Sequence, residues 1–169
     1  MSKKYYPESI IRCFKEQEKD IEFFKEILNS KLILISYDCD YNFEPCRKNG
    51  KKAHWALITG FLFPIKTKKD ADSLFSDNFN GQRLLRLNND LNEDKFSEIM
   101  KNFVLDDETC VICKHGKSKH SAIWSLNRLL ESNRQLKYVD EGKCNQNEFV
   151  RPLDGDIQAS LSSKALIFL

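Results

Sequence analysis

Apolar residues along this chain follow two spacings. Near the N-terminus Ile10, Phe14, Ile21, Phe24 and Leu28 recur at helical intervals among Glu, Lys and Asp. That spacing predicts an amphipathic first helix, stopped at Asn29-Ser30. The rhythm then changes. Leu32 to Tyr37 is a short, mostly apolar run with two β-branched isoleucines, suited to a strand buried on both faces. A polar loop from Asp38 to Ala53 carries Pro45 and Asn49-Gly50 as turn signals. His54 to Phe63 is the second apolar run. As a strand it sends His54, Ala56 and Ile58 one way and Trp55, Leu57 and Thr59 the other.

From Pro64 to about Glu108 the chain turns polar and asparagine-rich, with one amphipathic stretch at Phe96, Ile99, Met100 and Phe103 that predicts a short helix. A third strand is expected over Thr109–Lys114 and a fourth over Ala122–Trp124, with Gly116-Lys117-Ser118 turning between them. Leu126 to Ser132 reads as a short helix ending near Asn133. Phe149-Val150 and Ala165–Leu169 read as closing strands. The expected fold class is α+β with a largely antiparallel sheet, residues 1–169 forming a single domain and 64–108 an insertion within it.

Composition narrows the function classes. The chain's 169 residues suffice for one hydrophobic core, and 27 basic against 25 acidic residues leave a net charge of +2. That balance argues against a nucleic-acid or membrane-surface partner. The short basic clusters, Arg47-Lys48, Lys51-Lys52 and Lys66-Thr67-Lys68-Lys69, read as solvated loops. No signal-peptide core follows the basic start, and no apolar run approaches the roughly 18–20 residues of a membrane span. A cytoplasmic protein is expected, its six cysteines (Cys13, Cys39, Cys46, Cys110, Cys113 and Cys144) reduced.

His54 is the most informative residue for chemistry. It opens a strand directly after a polar loop, where the backbone is fixed and the ring can project into a cleft, as a general base requires. A hydrogen-bonded histidine at a strand end, without a catalytic role, fits the same position. Cys110 and Cys113, with His115 and His120 nearby, superficially resemble zinc ligands, but strand alternation sends the two cysteines to opposite faces. No metal or other cofactor is expected. A thiol nucleophile needs a helix N-terminus and an oxyanion donor, and none of the six cysteines fits well. The loop Asp38-Cys39-Asp40-Tyr41-Asn42-Phe43-Glu44-Pro45-Cys46 sets three carboxylates among aromatics just before His54. It suits a substrate-binding rim made of Asp38, Asp40, Asn42 and Glu44 with Trp55, and equally a solvated connection.

Several motifs occur together and in order: Leu34-Ile35-Ser36-Tyr37-Asp38, Asp40 to Cys46, Gly50, Ala53-His54-Trp55-Ala56, Gly116-Lys117-Ser118, Trp124, Leu130 to Leu136 and Ala165-Leu166. In this combination the chain resembles the actin maturation protease family from about Phe24 onward, apart from the insertion. The resemblance implies a papain-like or bacteriocin-peptidase-like fold. It also implies a thiol aminopeptidase that removes the acetylated N-terminal residue of immature actin, making the actin N-terminus the expected partner. By the same resemblance His54 is the general base. Asn133, with Ser125 as a weaker alternative, is the candidate third residue that orients the imidazole. The family carries its nucleophile upstream, on a Gln-to-Cys segment opening a helix, and no such segment precedes Leu32 here. The expectation is therefore a C-terminal, histidine-bearing part, inactive alone, as a partial product or a pseudoenzyme that binds actin N-termini.

Overall fold

The computed structural model describes residues 10–13, 32–62, 64, 108–140, 142 and 156–168. All of these but Pro64 belong to one compact unit, built from the stretches on either side of residues 63–106. The described elements run β1 (Ile10–Cys13), β2 (Leu32–Cys39), β3 (Pro45–Cys46), β4 (Ala53–Leu62), β5 (Cys110–His115), β6 (Ala122–Ser125), α1 (Leu126–Arg134), α2 (Ile157–Leu161) and β7 (Lys164–Phe168). The strands form one sheet in the order β1-β7-β2-β4-β5-β6, with β3 on the free end of β2. Every pairing is antiparallel. A largely antiparallel sheet with few helices agrees with the α+β expectation.

The register explains which runs are buried. Ile33, Ile35 and Tyr37 of β2 pair with Ile58, Ala56 and His54 of β4, which places these side chains on one face. Ala56 and Ile58 in turn pair with His115 and Cys113 of β5, and Val111 pairs with Trp124 of β6. Ile167 and Ala165 of β7 complete the face. All of them except His54 are buried, forming the core together with Leu126, Leu129 and Leu130 of α1. Each fully buried Ile or Leu contributes on the order of 1.5–3 kcal/mol relative to exposure. On the opposite face Ile11, Leu32, Trp55 and Ile123 stay exposed.

α1 starts where Ser125 caps it, its hydroxyl accepting from the Arg128 N–H. The helix packs on β2, β3 and β6. α2 is capped in the same way by Asp156, whose carboxylate accepts from Ala159 N.

The expected first helix is corrected over its described residues. Ile10–Cys13 is a strand, paired with β7 from Ile10↔Ile167 to Cys13↔Lys164. Adjacent β-branched Ile10 and Ile11 suit a strand, and the free edge of β7 supplies the ladder that local spacing cannot reveal. The remainder of that helix, the insertion (apart from Pro64 and Glu108) with its short helix, and the strand at Phe149-Val150 lie outside the described residues. The strands expected from the other apolar runs are present with ends shifted by a residue or two. β3 and α2, two and five residues long, were not expected.

Candidate active site

His54 stands at the start of β4, directly opposite Tyr37 of β2. Its Nδ1 lies 2.9 Å from the Lys52 carbonyl oxygen and 3.3 Å from the Cys39 sulfur. A carbonyl can only accept, so Nδ1 carries the proton in that contact, and the neutral ring keeps its lone pair on Nε2. The imidazole can therefore accept a proton at Nε2 while Nδ1 is anchored.

A cluster of rings lies beside it. Phe43 lies 6.4 Å from the His54 ring and 5.1 Å from the His115 ring, and His115 stacks on Trp124 at 5.7 Å. Tyr37 closes the group, its ring 5.0 Å from Trp124. Burial, and secondarily the charge of His54, lower the His115 pKa below its usual 6.5. Its Nδ1 is buried with no hydrogen-bond partner. Burial raises the Tyr37 hydroxyl pKa well above its usual value.

The loop after β2 reaches the histidine through Phe43. Asp40 builds a tight turn there: its Oδ1 accepts from Asn42 N at 2.8 Å and Glu44 N at 2.9 Å. Phe43 takes φ +65°, a left-handed conformation that costs a bulky residue about 1–2 kcal/mol. Its carbonyl accepts from the Tyr37 hydroxyl at 3.0 Å. Asn42 and Glu44 are exposed, and Glu44 lies 3.8 Å from Arg128. Tyr41 is 95% exposed, with the Lys48 ammonium 5.4 Å from its ring centre.

The other expected site residues lie elsewhere. Asp38 is fully buried, and its carboxylate accepts from Lys48 N, Gly50 N, Lys52 N and Gln135 Nε2 at 2.7–2.9 Å. It anchors the loop from within instead of facing outward. Trp55 points to the opposite face from His54, as strand alternation requires, and is 47% exposed. Asn133 is fully buried on α1, its Nδ2 donating to Ser36 O and Oγ, Leu161 O and Lys164 O. Those bonds tie α1 to β2 and to the start of β7, and none joins Asn133 to His54. Ser125 caps α1.

Cys39 was set aside from the sequence as a loop thiol; it ends β2, touches His54 and is 4% exposed. Its contact is with Nδ1, the atom already held by Lys52. Cys46 has a raised pKa, burial outweighing the opposing effect of Lys48, and burial pushes Cys113 up to about 12. Cys110 and Cys113 do project to opposite faces of β5, paired across β4 with Leu62 and Ile58. Among the described residues no group of three or more His, Cys, Asp or Glu is placed to hold a metal ion. None of their helices is long and apolar enough to cross a membrane. His115, Phe43 and Tyr37 were not expected in the site. Only the period of two, carried across paired strands, could have put His115 and Tyr37 beside His54.

The described strands and helices form an antiparallel α+β domain in which His54 stands at a strand start with Nδ1 beside the Lys52 carbonyl. Residues 2–62 match the family described as actin maturation protease-like, C-terminal domain. The chain is 32% identical over 153 residues to the actin maturation protease of Danio rerio, covering 89% of this chain and 47% of that protein. It is 30% identical to the Drosophila melanogaster actin maturation protease (80% and 37% covered) and 28% identical to the human one (80% and 37%). The chain is thus similar over most of its length to actin maturation proteases, and its family match is to their C-terminal domain. It spans less than half the length of these curated relatives. No solved structure matches it.

Proposed function

We propose that this chain is the histidine-bearing part of a cytoplasmic thiol aminopeptidase with a papain-like fold, which removes the acetylated N-terminal residue of immature actin. His54 is the general base, and the observation that carries this role is the anchoring of Nδ1 on Lys52 O, which leaves Nε2 to take a proton. In the proposed reaction Nε2 receives the proton of a cysteine thiol, and the thiolate adds to the carbonyl of the acetylated residue. The imidazolium then gives that proton to the departing amine of the shortened actin. Water hydrolyses the remaining thioester, releasing the acetylated residue and restoring the thiol.

The nucleophile in this reading comes from the part of the relatives' length that the chain does not span. The described thiol in contact with His54, Cys39, supports this by its position: it is almost wholly buried and sits on the Nδ1 side. The same observation supports a second reading, in which the chain alone binds actin N-termini without cleaving them. Half-buried Phe43 with exposed Asn42 and Glu44 is the proposed contact surface.

A fluorescein-labelled, N-acetylated actin N-terminal peptide titrated with the purified chain tests the substrate class by anisotropy. Saturable binding, weakened for the same peptide lacking its first residue, is expected. Binding that is absent, or no different for a scrambled peptide, would overturn the substrate assignment.

A further inference from the structure

We propose that Asp38 is a positioning residue for His54, acting through the backbone of Lys52 to fix which ring nitrogen carries the proton. Its bearing on catalysis rests on the base role proposed above; its geometry does not. The Lys52 N–H donates to Asp38 Oδ1 at 2.9 Å. The carbonyl of the same residue accepts from Cys39 N at 3.1 Å and stands 2.9 Å from His54 Nδ1. Asp38 and the imidazole are thus joined across a single residue, the carboxylate on its N–H and the ring on its carbonyl.

Three backbone N–H groups of one short loop, those of Lys48, Gly50 and Lys52, converge on the Asp38 carboxylate, and Gln135 Nε2 joins them. Such a ring of inward-pointing N–H groups is a preformed site for an anionic oxygen pair. It closes only because Gly50 adopts φ +95°, and a Cβ there would lie 2.3 Å from the Tyr138 carbonyl oxygen. The loop is therefore shaped around Asp38, and the direction of the Lys52 carbonyl is a result of that shape.

The consequence for His54 is chemical. In a neutral imidazole the partner of one nitrogen decides the state of the other. A fixed carbonyl at Nδ1 selects the Nδ1–H form, whereas a free histidine side chain favours Nε2–H. Only the first form has a lone pair at Nε2. Asn133, the residue expected to orient the ring, is committed to Ser36, Leu161 and Lys164. The orienting group is the carbonyl of Lys52, a residue whose N–H Asp38 holds.

Long-range 1H–15N correlation spectra of the His54 ring in the uniformly 15N-labelled chain, recorded where the ring is neutral, read the tautomer directly. The wild type is expected in the Nδ1–H form. D38N, which sets an amide donor among these donors, is expected to leave that form in the minority while the backbone amide spectrum stays folded. Q135M removes one of the four donors, together with the Oε1 that accepts from Asn49 N, but keeps the Lys48, Gly50 and Lys52 N–H groups on the carboxylate, and a mixture of both forms is expected; it decides the question if D38N does not fold. A wild-type ring in the Nε2–H form overturns the proposal, as does a folded D38N, or failing that Q135M, with the wild-type tautomer ratio. Absence of actin-peptide binding would instead overturn the functional reading and leave these spectra unaffected.

Discussion

Replacing Gly50 by alanine tests whether the loop between β3 and β4 is held as closely as the geometry indicates. Gly50 has φ +95°, and an added Cβ would meet Tyr138 O at 2.3 Å, Ile157 Cδ1 at 2.8 Å and Tyr138 N at 3.1 Å. Two of these three atoms are backbone, so no rotamer change relieves them. A Cβ in the left-handed region costs about 1–2 kcal/mol, and forced overlap in a packed site adds roughly 1–3 kcal/mol. The lower entropy of the unfolded alanine chain offsets the substitution in neither case, since Ala is favoured only where it can adopt the native φ. The sum is a loss of about 2–5 kcal/mol, a large share of the roughly 5–15 kcal/mol that stabilises an ordinary domain. Urea unfolding followed by tryptophan fluorescence measures it, with a lower midpoint at unchanged slope as the expected result. Gly116 is the internal control: nothing lies within 4 Å of its added Cβ. G116A should fall within about 0.5 kcal/mol of wild type. A G50A loss below about 1 kcal/mol at unchanged slope would show that the loop accommodates a Cβ at this position and is not tightly held.

Other outcomes follow from the site. His115 has a lowered pKa, so the unfolded chain takes up a proton before the folded one as pH falls below 6.5. Its contribution to stability is present above that pH and is lost as pH falls toward the folded-state pKa; H115Q should flatten this part of a urea-midpoint profile, and identical slopes would contradict it. Cys113, fully buried with a thiol pKa near 12, should resist iodoacetamide until the chain unfolds, whereas exposed Cys13 should be labelled in the native state. Peptide mass spectrometry separates the two, and early labelling of Cys113 would count against its burial. Y37F removes the hydroxyl that donates to Phe43 O at 3.0 Å and should cost about 1 kcal/mol in urea unfolding. An unchanged midpoint would show that the turn at Phe43 does not depend on it.

Much of the sheet was legible because its strands are contiguous apolar runs. The runs opening at Leu32, His54, Thr109 and Ala122 each hold a strand, their shortness favouring strand over helix. Ile10–Cys13 was misread because its pairing with β7 bridges most of the chain, and local spacing carries no information about it. The place of His54 at a strand start was visible, and alternation correctly set Trp55 on the other face. Asp38 was not legible. A carboxylate at the end of an apolar strand looks solvated, and its burial follows from three loop N–H groups that only the fold brings together. Asn133 looked suitable by chain order, but chain order does not show that α1 points its amide at Ser36. The loop of Phe43 was legible as a candidate rim, but the left-handed turn that brings this ring to His54 favours no bulky residue and was not.

The role of His54 as the base of an actin-processing thiol peptidase is tested most directly by cleavage with a completed protein. The chain is joined behind the N-terminal part of the Danio rerio relative, which it does not span, and incubated with an N-acetylated actin N-terminal peptide. Mass spectrometry then reads release of the acetylated residue. Release by the wild-type sequence is expected, with a loss of about 100-fold or more in H54Q, the scale of a removed general base. Undiminished release by H54Q would contradict that role.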